Sequence, residues 1–188
     1  MQHFVKPEQY FAAANGIGGF SSLFSEVFSP IAYKRIYIIK GGPGSGKSTF
    51  LRRAADACND AGVRHVVLGR GSNVLFDDAG YSGAVISTEK LNRITVSESK
   101  LICSCGASFT QCAAAARDAS LSGLEFAYGI PGAVGGAVYM NAGAYGGEVS
   151  QVLKESTYYD TKTRSVCTIP LTEHKYGYRE SVYRDCPE

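Results

Sequence analysis

Gly123-Leu124-Glu125-Phe126-Ala127-Tyr128-Gly129-Ile130-Pro131-Gly132-Ala133-Val134-Gly135-Gly136 is followed closely by Asn141-Ala142-Gly143-Ala144-Tyr145-Gly146-Gly147-Glu148, and further on by Tyr176-Gly177-Tyr178-Arg179-Glu180-Ser181. Upstream, Val66-Val67-Leu68-Gly69-Arg70-Gly71-Ser72-Asn73-Val74-Leu75 places a GxGSN turn directly after a β-branched run. Taken singly, each segment is a glycine-rich turn, because glycine reaches backbone conformations and close approaches that a Cβ forbids. A turn of small residues behind a strand also lets backbone come close to a diphosphate, with Ser72 and Asn73 as side-chain donors. The order and spacing of the segments carry more information than any one of them.

Working outward, Arg35-Ile36-Tyr37-Ile38-Ile39 reads as a buried strand, then a glycine loop, then a helix over 48–61. Leu51, Ala54, Ala55 and Cys58 recur at i, i+3, i+4, i+7 and predict that helix's buried face; Asn59, Asp60 and Gly62 supply its stop. His65-Val66-Val67-Leu68 is the next strand, and a βαβ unit makes it parallel to 35–39. After residue 70 the character changes. Short strands at Ala84-Val85-Ile86, Arg93-Ile94-Thr95-Val96 and Leu101-Ile102-Cys103 precede an alanine-rich helix near 108–120, and two more strands fall around 152–159 and 164–169. The layout is α+β (mixed α/β), in two pieces: residues 1–62 and residues 63–188.

With the four glycine segments in this order, residues 63–184 resemble the flavin-binding domain of the bacterial UDP-N-acetylenolpyruvoylglucosamine reductases. The resemblance implies an FAD-binding fold of the vanillyl-alcohol-oxidase (PCMH) type. It implies that Gly69, Arg70, Gly71, Ser72 and Asn73 lie against the FAD diphosphate. Gly129, Ile130, Pro131, Gly132, Val134 and Gly135, with Gly143, Ala144 and Tyr145, would line the other side. NADPH would reduce the flavin, which then reduces the enolpyruvyl double bond of a UDP-sugar. Tyr178 and Arg179 would meet the substrate, Arg179 as the catalytic residue that stabilises enolate-like charge; a planar, permanently charged guanidinium suits that task. In the family a further domain brings the serine proton donor and an assisting glutamate. The chain ends at Cys186-Pro187-Glu188 before that domain is expected, so complete turnover by these 188 residues alone is not expected.

A second signal lies upstream. Gly41-Gly42-Pro43-Gly44-Ser45-Gly46-Lys47-Ser48 fits GxxxxGK[ST], between a strand and a helix. In such a loop Gly41, Gly44 and Gly46 let amides face a phosphate. Lys47 reaches the outer phosphates, Ser48 holds magnesium, and Thr49 adds to the helix N-terminus. Residues 8–50 resemble P-loop ATPases through Arg35-Ile36-Tyr37-Ile38-Ile39-Lys40-Gly41-Gly42-Pro43. Hydrolysis also needs a carboxylate at a neighbouring strand end, for which Val74-Leu75-Phe76-Asp77-Asp78 is the first candidate and Tyr158-Tyr159-Asp160 the second. The rival reading is therefore a P-loop module that binds ATP with Mg. A junction of two unrelated coding regions within 41–62 would reconcile the two halves.

Nineteen basic and seventeen acidic residues leave a formal charge of +2, which gives no electrostatic case for a nucleic-acid or membrane partner. No apolar run is long enough to span a bilayer and the start lacks a signal-peptide pattern, so the expected compartment is the cytoplasm. The six cysteines lack paired CxxC spacing and are expected to be buried free thiols, with Cys103 and Cys105 on one strand face. Unpaired sheet edges and exposed apolar faces predict self-association.

Overall fold

A computed structural model of the chain describes residues 46–184. The chain divides into two compact units, 1–64 and 65–188. The first unit, from residue 46 on, is helix α1 (Lys47–Asp60) and its exit. Gly62, at φ +62°, ends the helix in the left-handed region, and Val63 N–H reaches back to the Cys58 carbonyl at 2.8 Å. That is the expected stop, built as a Schellman cap. The inward face differs from expectation: Phe50, Ala55 and Cys58 are buried, while Leu51 and Ala54 are half-exposed. The bulky Phe50 takes the inward direction in the first turn and rotates the stripe by about one residue.

The second unit begins with β1 (His65–Leu68) and β2 (Ala84–Ser87), which pair in parallel with Leu68 opposite Ser87. The strand expected at 35–39 lies outside the described residues; among those, the parallel neighbour of β1 is β2. β3 (Ile94–Ser97) and β4 (Lys100–Cys103) form an antiparallel hairpin, then α2 (Phe109–Asp118) and α3 (Val134–Tyr139) follow. β5 (Gly143–Ala144) and β6 (Gly147–Glu148) make a minimal hairpin whose turn residues Tyr145 and Gly146 both have positive φ, 54° and 82°, the pattern of a type I′ turn. The last hairpin is β7 (Glu155–Asp160) with β8 (Ser165–Pro170). Asp160 ends β7 by accepting the Lys162 and Thr163 amides at 2.8 and 3.3 Å, so its carboxylate is a turn former.

Two expectations fail here. Val74-Leu75-Phe76 is not a strand: Leu75 is 98% exposed, and the following turn is closed by Asp77, whose carboxylate accepts Ala79 N–H and whose carbonyl accepts Gly80 N–H. Three apolar residues are too short a run to hold a strand against that turn chemistry. The cysteines are not uniformly buried either. Cys58 and Cys112 are, but Cys105 is exposed and Cys103 and Cys167 are intermediate; Cys186 lies outside the described residues.

The core sits where α2 meets the glycine-rich segments. Phe109, Cys112, Ala113 and Ala116 recur at i, i+3, i+4, i+7 and all face inward, with Ser108 capping the helix by accepting Gln111 N–H. Phe109 meets Phe126 edge to face at 5.9 Å, and Ala127, Ala137, Ala142 and Val149 close the cluster. The many alanines are what allow this approach of backbones. Gly147 shows the same need: a Cβ there would lie 2.7 Å from the Phe126 ring. Apolar side chains also remain outside, Val67 and Val85 on the β1–β2 pair and Val96 and Ile102 on the β3–β4 pair.

Candidate functional site

Residues 69–73 leave the end of β1 as an exposed loop, with Gly71 at φ +68°. No acceptor among the described residues takes the backbone N–H of Arg70, Gly71, Ser72 or Asn73. Across from them runs 131–135, pinned from behind to 105–109: Phe109 N–H donates to Gly132 O at 3.1 Å, Val134 N–H to Ala107 O at 2.9 Å and Gly135 N–H to Cys105 O at 2.7 Å. The two glycine segments are stapled together by the Ser72 hydroxyl, which donates to Pro131 O at 3.0 Å. Gly69 and Gly132 permit this closeness, since a Cβ on Gly69 would sit 3.0 Å from the Ala133 Cβ and one on Gly132 3.2 Å from Ser72 Oγ. Ser72 was expected to point its proton at a phosphate; in the structure that proton joins the two segments. Backbone amides of a glycine-rich loop that have no acceptor among the described residues are groups of the kind that can cradle an anion.

The other expected residues gather elsewhere. Gly143 and Ala144 line a cavity of about 260 Å³ together with Tyr178, Arg179, Asn141, Gln151 and Glu148. Tyr145 stands at the hairpin tip, 98% exposed. Tyr178 and Arg179 are the two central residues of a tight turn closed by reciprocal Gly177–Glu180 backbone bonds of 3.3 Å, with Arg179 at φ +59°. The Arg179 guanidinium lies 5.8 Å from the Tyr178 ring centroid, a cation–π pair.

Three buried polar residues hold that turn in place. Asn141 donates from Nδ2 to Gly177 O at 3.1 Å and accepts Ser150 N–H at 2.9 Å, and the Ser181 hydroxyl donates to Tyr139 O at 2.7 Å. His174 is fully buried, with Nδ1 2.9 Å from Pro170 O and Nε2 2.8 Å from Ser156 Oγ, which in turn meets the Tyr183 hydroxyl at 2.5 Å. A carbonyl can only accept, so Nδ1 carries the proton in this arrangement. The His174 ring stacks on Tyr176 at 5.1 Å, so the segment leading into the turn is packed as well as hydrogen-bonded.

Glu148 is the acidic member of the cavity. Hydrogen bonds from the Ser150 hydroxyl and then from Asn141 hold its carboxyl below the ordinary value of 4.5. A carboxylate depressed in the folded state stabilises the fold above that ordinary value, and the contribution is lost as pH falls through it toward the folded value. Glu148→Gln should therefore lower Tm at neutral pH relative to the parent, with the difference closing below about pH 4.5. Thermal melts across that pH range check it, and a pH-independent difference would contradict it.

Of the phosphate-loop residues expected upstream, Gly41 and Gly44 lie outside the described residues. Gly46 precedes α1 at φ +83°, Lys47 opens the helix, and Ser48 and Thr49 are exposed in its first turn. Arg52 Nε donates to Ser48 O at 3.3 Å. Sequence reasoning missed Asn141, Gln151 and His174. Asn141 stood inside a quoted segment, and its combination with glycines was a usable signal for a left-handed, side-chain-bonded turn. Gln151 is placed locally, accepting Glu148 N–H and donating to Gly146 O, each at 3.3 Å, as half of a capping box with Glu148; His174 carried no signal, since tertiary packing brings it to this cluster.

The sequence profile of the FAD binding domain family matches residues 48–162, and the chain belongs to that family. More particularly, it is homologous to the FAD-binding part of UDP-N-acetylenolpyruvoylglucosamine reductases. It is 37% identical to the enzyme of Clostridium beijerinckii over 177 residues, covering 88% of this chain and 58% of that one. To the Shouchella clausii enzyme it is 48% identical over 117 residues, 62% of this chain and 37% of that one. The crystal structure of the Thermus caldophilus reductase superposes with a TM-score of 0.57 at 32% identity, over 71% of this chain and 46% of that one. The chain thus spans about half the length of the relatives it matches. The family match starts at residue 48, inside α1, and an alignment over 88% of the chain is longer than residues 63–188 alone. The reductase likeness therefore reaches upstream of the boundary expected at 62/63 and takes in α1. Among the described residues no helix is long and apolar enough to cross a membrane.

Proposed function

We propose that this chain holds FAD as the flavin domain of a reductase that acts on UDP-N-acetylenolpyruvoylglucosamine, with NADPH as reductant, in peptidoglycan precursor synthesis. The observation that carries this reading is the stapled pair of glycine segments, with the amides of 70–73 finding no acceptor among the described residues beside 131–135. In this reading Gly69, Arg70, Gly71, Ser72 and Asn73 take the diphosphate, and 129–135 faces it. Arg70, Ser72 and Asn73 are exposed and Gly71 is half-buried, so phosphate oxygens would replace water on this loop. Bound FAD would supply hydride transfer. Gly143 and Ala144, both with small side chains, border the cavity that Arg179 also lines, which leaves room there for a flat ring system. Arg179 binds the substrate carboxylate and opposes the negative charge that builds beside it, while Tyr178 flanks the guanidinium and steadies its direction.

The test is the visible absorbance of the purified 188-residue chain, with the released cofactor identified after denaturation. Stoichiometric FAD that NADPH then bleaches is the expected result. A colourless chain that takes up no added FAD would overturn the reading, and ATP with Mg at Lys47 and Ser48 would become the binding to measure.

A further inference from the structure

Cys103, at the end of β4, and Cys112, in the first turn of α2, bring their sulfurs to 3.4 Å. Both are free thiols, Cys112 fully buried and Cys103 partly open to solvent. We propose that Cys103 and Cys112 form an oxidation site: a dithiol that a hydroperoxide converts reversibly to a disulfide beneath the second glycine segment.

The asymmetry of the pair sets the order of events. Cys112 S–H donates to the Cys103 sulfur, which favours Cys103 as the thiolate and holds the proton on Cys112. The partner that is partly open to solvent is thus the nucleophile, as an oxidant arriving from solvent requires. The Cys103 thiolate attacks the hydroperoxide, breaking its O–O bond. Sulfenic acid forms, and the other oxygen leaves as water or alcohol after taking up a proton. The Cys112 sulfur then attacks the sulfenic sulfur; an S–S bond forms, the S–O bond breaks, and a second water leaves with the Cys112 proton. Two thiols are oxidised and one hydroperoxide is reduced. The sulfurs need approach by only about 1.4 Å to reach bonding distance, and both backbones are fixed in regular structure. Cys105 is not the resolving thiol, because its side chain hydrogen-bonds Thr88 while the Cys112 sulfur meets that of Cys103.

The location gives the site a consequence. Residues 104–111 lie between the two cysteines, and within them the carbonyls of Cys105 and Ala107 and the amide of Phe109 hold 132–135. A disulfide would close a short loop around these contacts and tie β4 to α2.

The experiment treats the intact chain with a small excess of hydrogen peroxide, denatures it, alkylates the remaining thiols and maps them by mass spectrometry. Cleavage after Phe109 separates Cys112 from Cys103 and Cys105, and fragmentation of the joined peptide places the bond. The expected result is loss of two alkylatable thiols together, with a Cys103–Cys112 link and recovery of both on reduction. The Cys103→Ser chain should lose no thiol pair under the same treatment. Oxygen addition at Cys103 with Cys112 still alkylated, or a bond from either to Cys105, would overturn the proposal.

Discussion

Gly106→Ala is expected to destabilise the chain by about 3 kcal/mol or more, at the upper end of what overpacking costs. A Cβ at this position would lie 1.9 Å from the Thr88 carbonyl oxygen, 2.8 Å from its carbon and 2.9 Å from Leu91 O. These are main-chain atoms, so no side-chain rotation relieves the clash. The Gly106 amide donates to the same Leu91 O at 2.8 Å, which prevents the segment from simply backing away. On its other side Ala107 is fully buried. A shift of Thr88 would pull on Leu68, whose carbonyl accepts both the Thr88 amide at 2.9 Å and its hydroxyl at 3.3 Å, at the point where the 69–73 loop leaves β1. A shift of 105–107 would pull on the bonds to Val134 and Gly135. One methyl group thus strains both halves of the cradle, and flavin retention should fall together with the urea midpoint. Gly136→Ala is the control: nothing lies within 4 Å of its added Cβ, and in a helix the change is worth up to about 1 kcal/mol in the favourable direction. Equal midpoints for the two variants would contradict the close packing of 106 against 88 and 91.

Gly106 also shows which parts of the fold are legible in sequence. It attracts no notice between two cysteines and an alanine-rich helix, because its requirement comes from Thr88 and Leu91, far away along the chain. By contrast, the hairpin strands 94–97, 100–103, 155–160 and 165–170 could be read from β-branched and aromatic runs, since their partners are sequence neighbours. The parallel partnership of 65–68 with 84–87 could not be read, because parallel registry depends on what covers the strands. At the site, glycine order picked out the two segments, 69–73 and 131–135, that meet to form the proposed cradle, since close backbone approach is what glycine uniquely permits. It did not separate that cradle from the Arg179 cavity, where Gly143 and Ala144 belong, nor reveal that Ser72 joins two loops. Those assignments depend on which segments meet, and glycine patterns carry the permission for contact without naming the partner.

Asn141→Ala is expected to release the Tyr178-Arg179 turn, seen as a tenfold to hundredfold rise (roughly 1.4 to 2.7 kcal/mol) in the rate of tryptic cleavage after Arg179. Asn141 is buried at φ +45° and uses its amide at both ends, toward Gly177 O and from Ser150 N–H. Alanine removes both bonds and the contact with Glu148, leaves the half-buried Gly177 carbonyl and Ser150 amide without these partners, and fits a left-handed backbone poorly. Three variants separate these effects. Asn141→Gly keeps the backbone conformation and loses the bonds, so it should approach alanine if hydrogen bonding dominates and the parent if strain does. Asn141→Asp keeps an acceptor for Ser150 but opposes an oxygen to the Gly177 carbonyl, so its effect should fall between the parent and alanine. Cleavage after Arg164, in the exposed β7–β8 turn, is the reference for opening away from the Asn141 bonds in the same digest. If cleavage at Arg179 rises no more than at Arg164, Asn141 stabilises the fold in general and does not position the turn. A selective rise would instead make Asn141 the link that aims the Arg179 guanidinium at the cavity: the charge depends on a two-residue turn whose own closing bonds, at 3.3 Å, are long for N–H···O contacts.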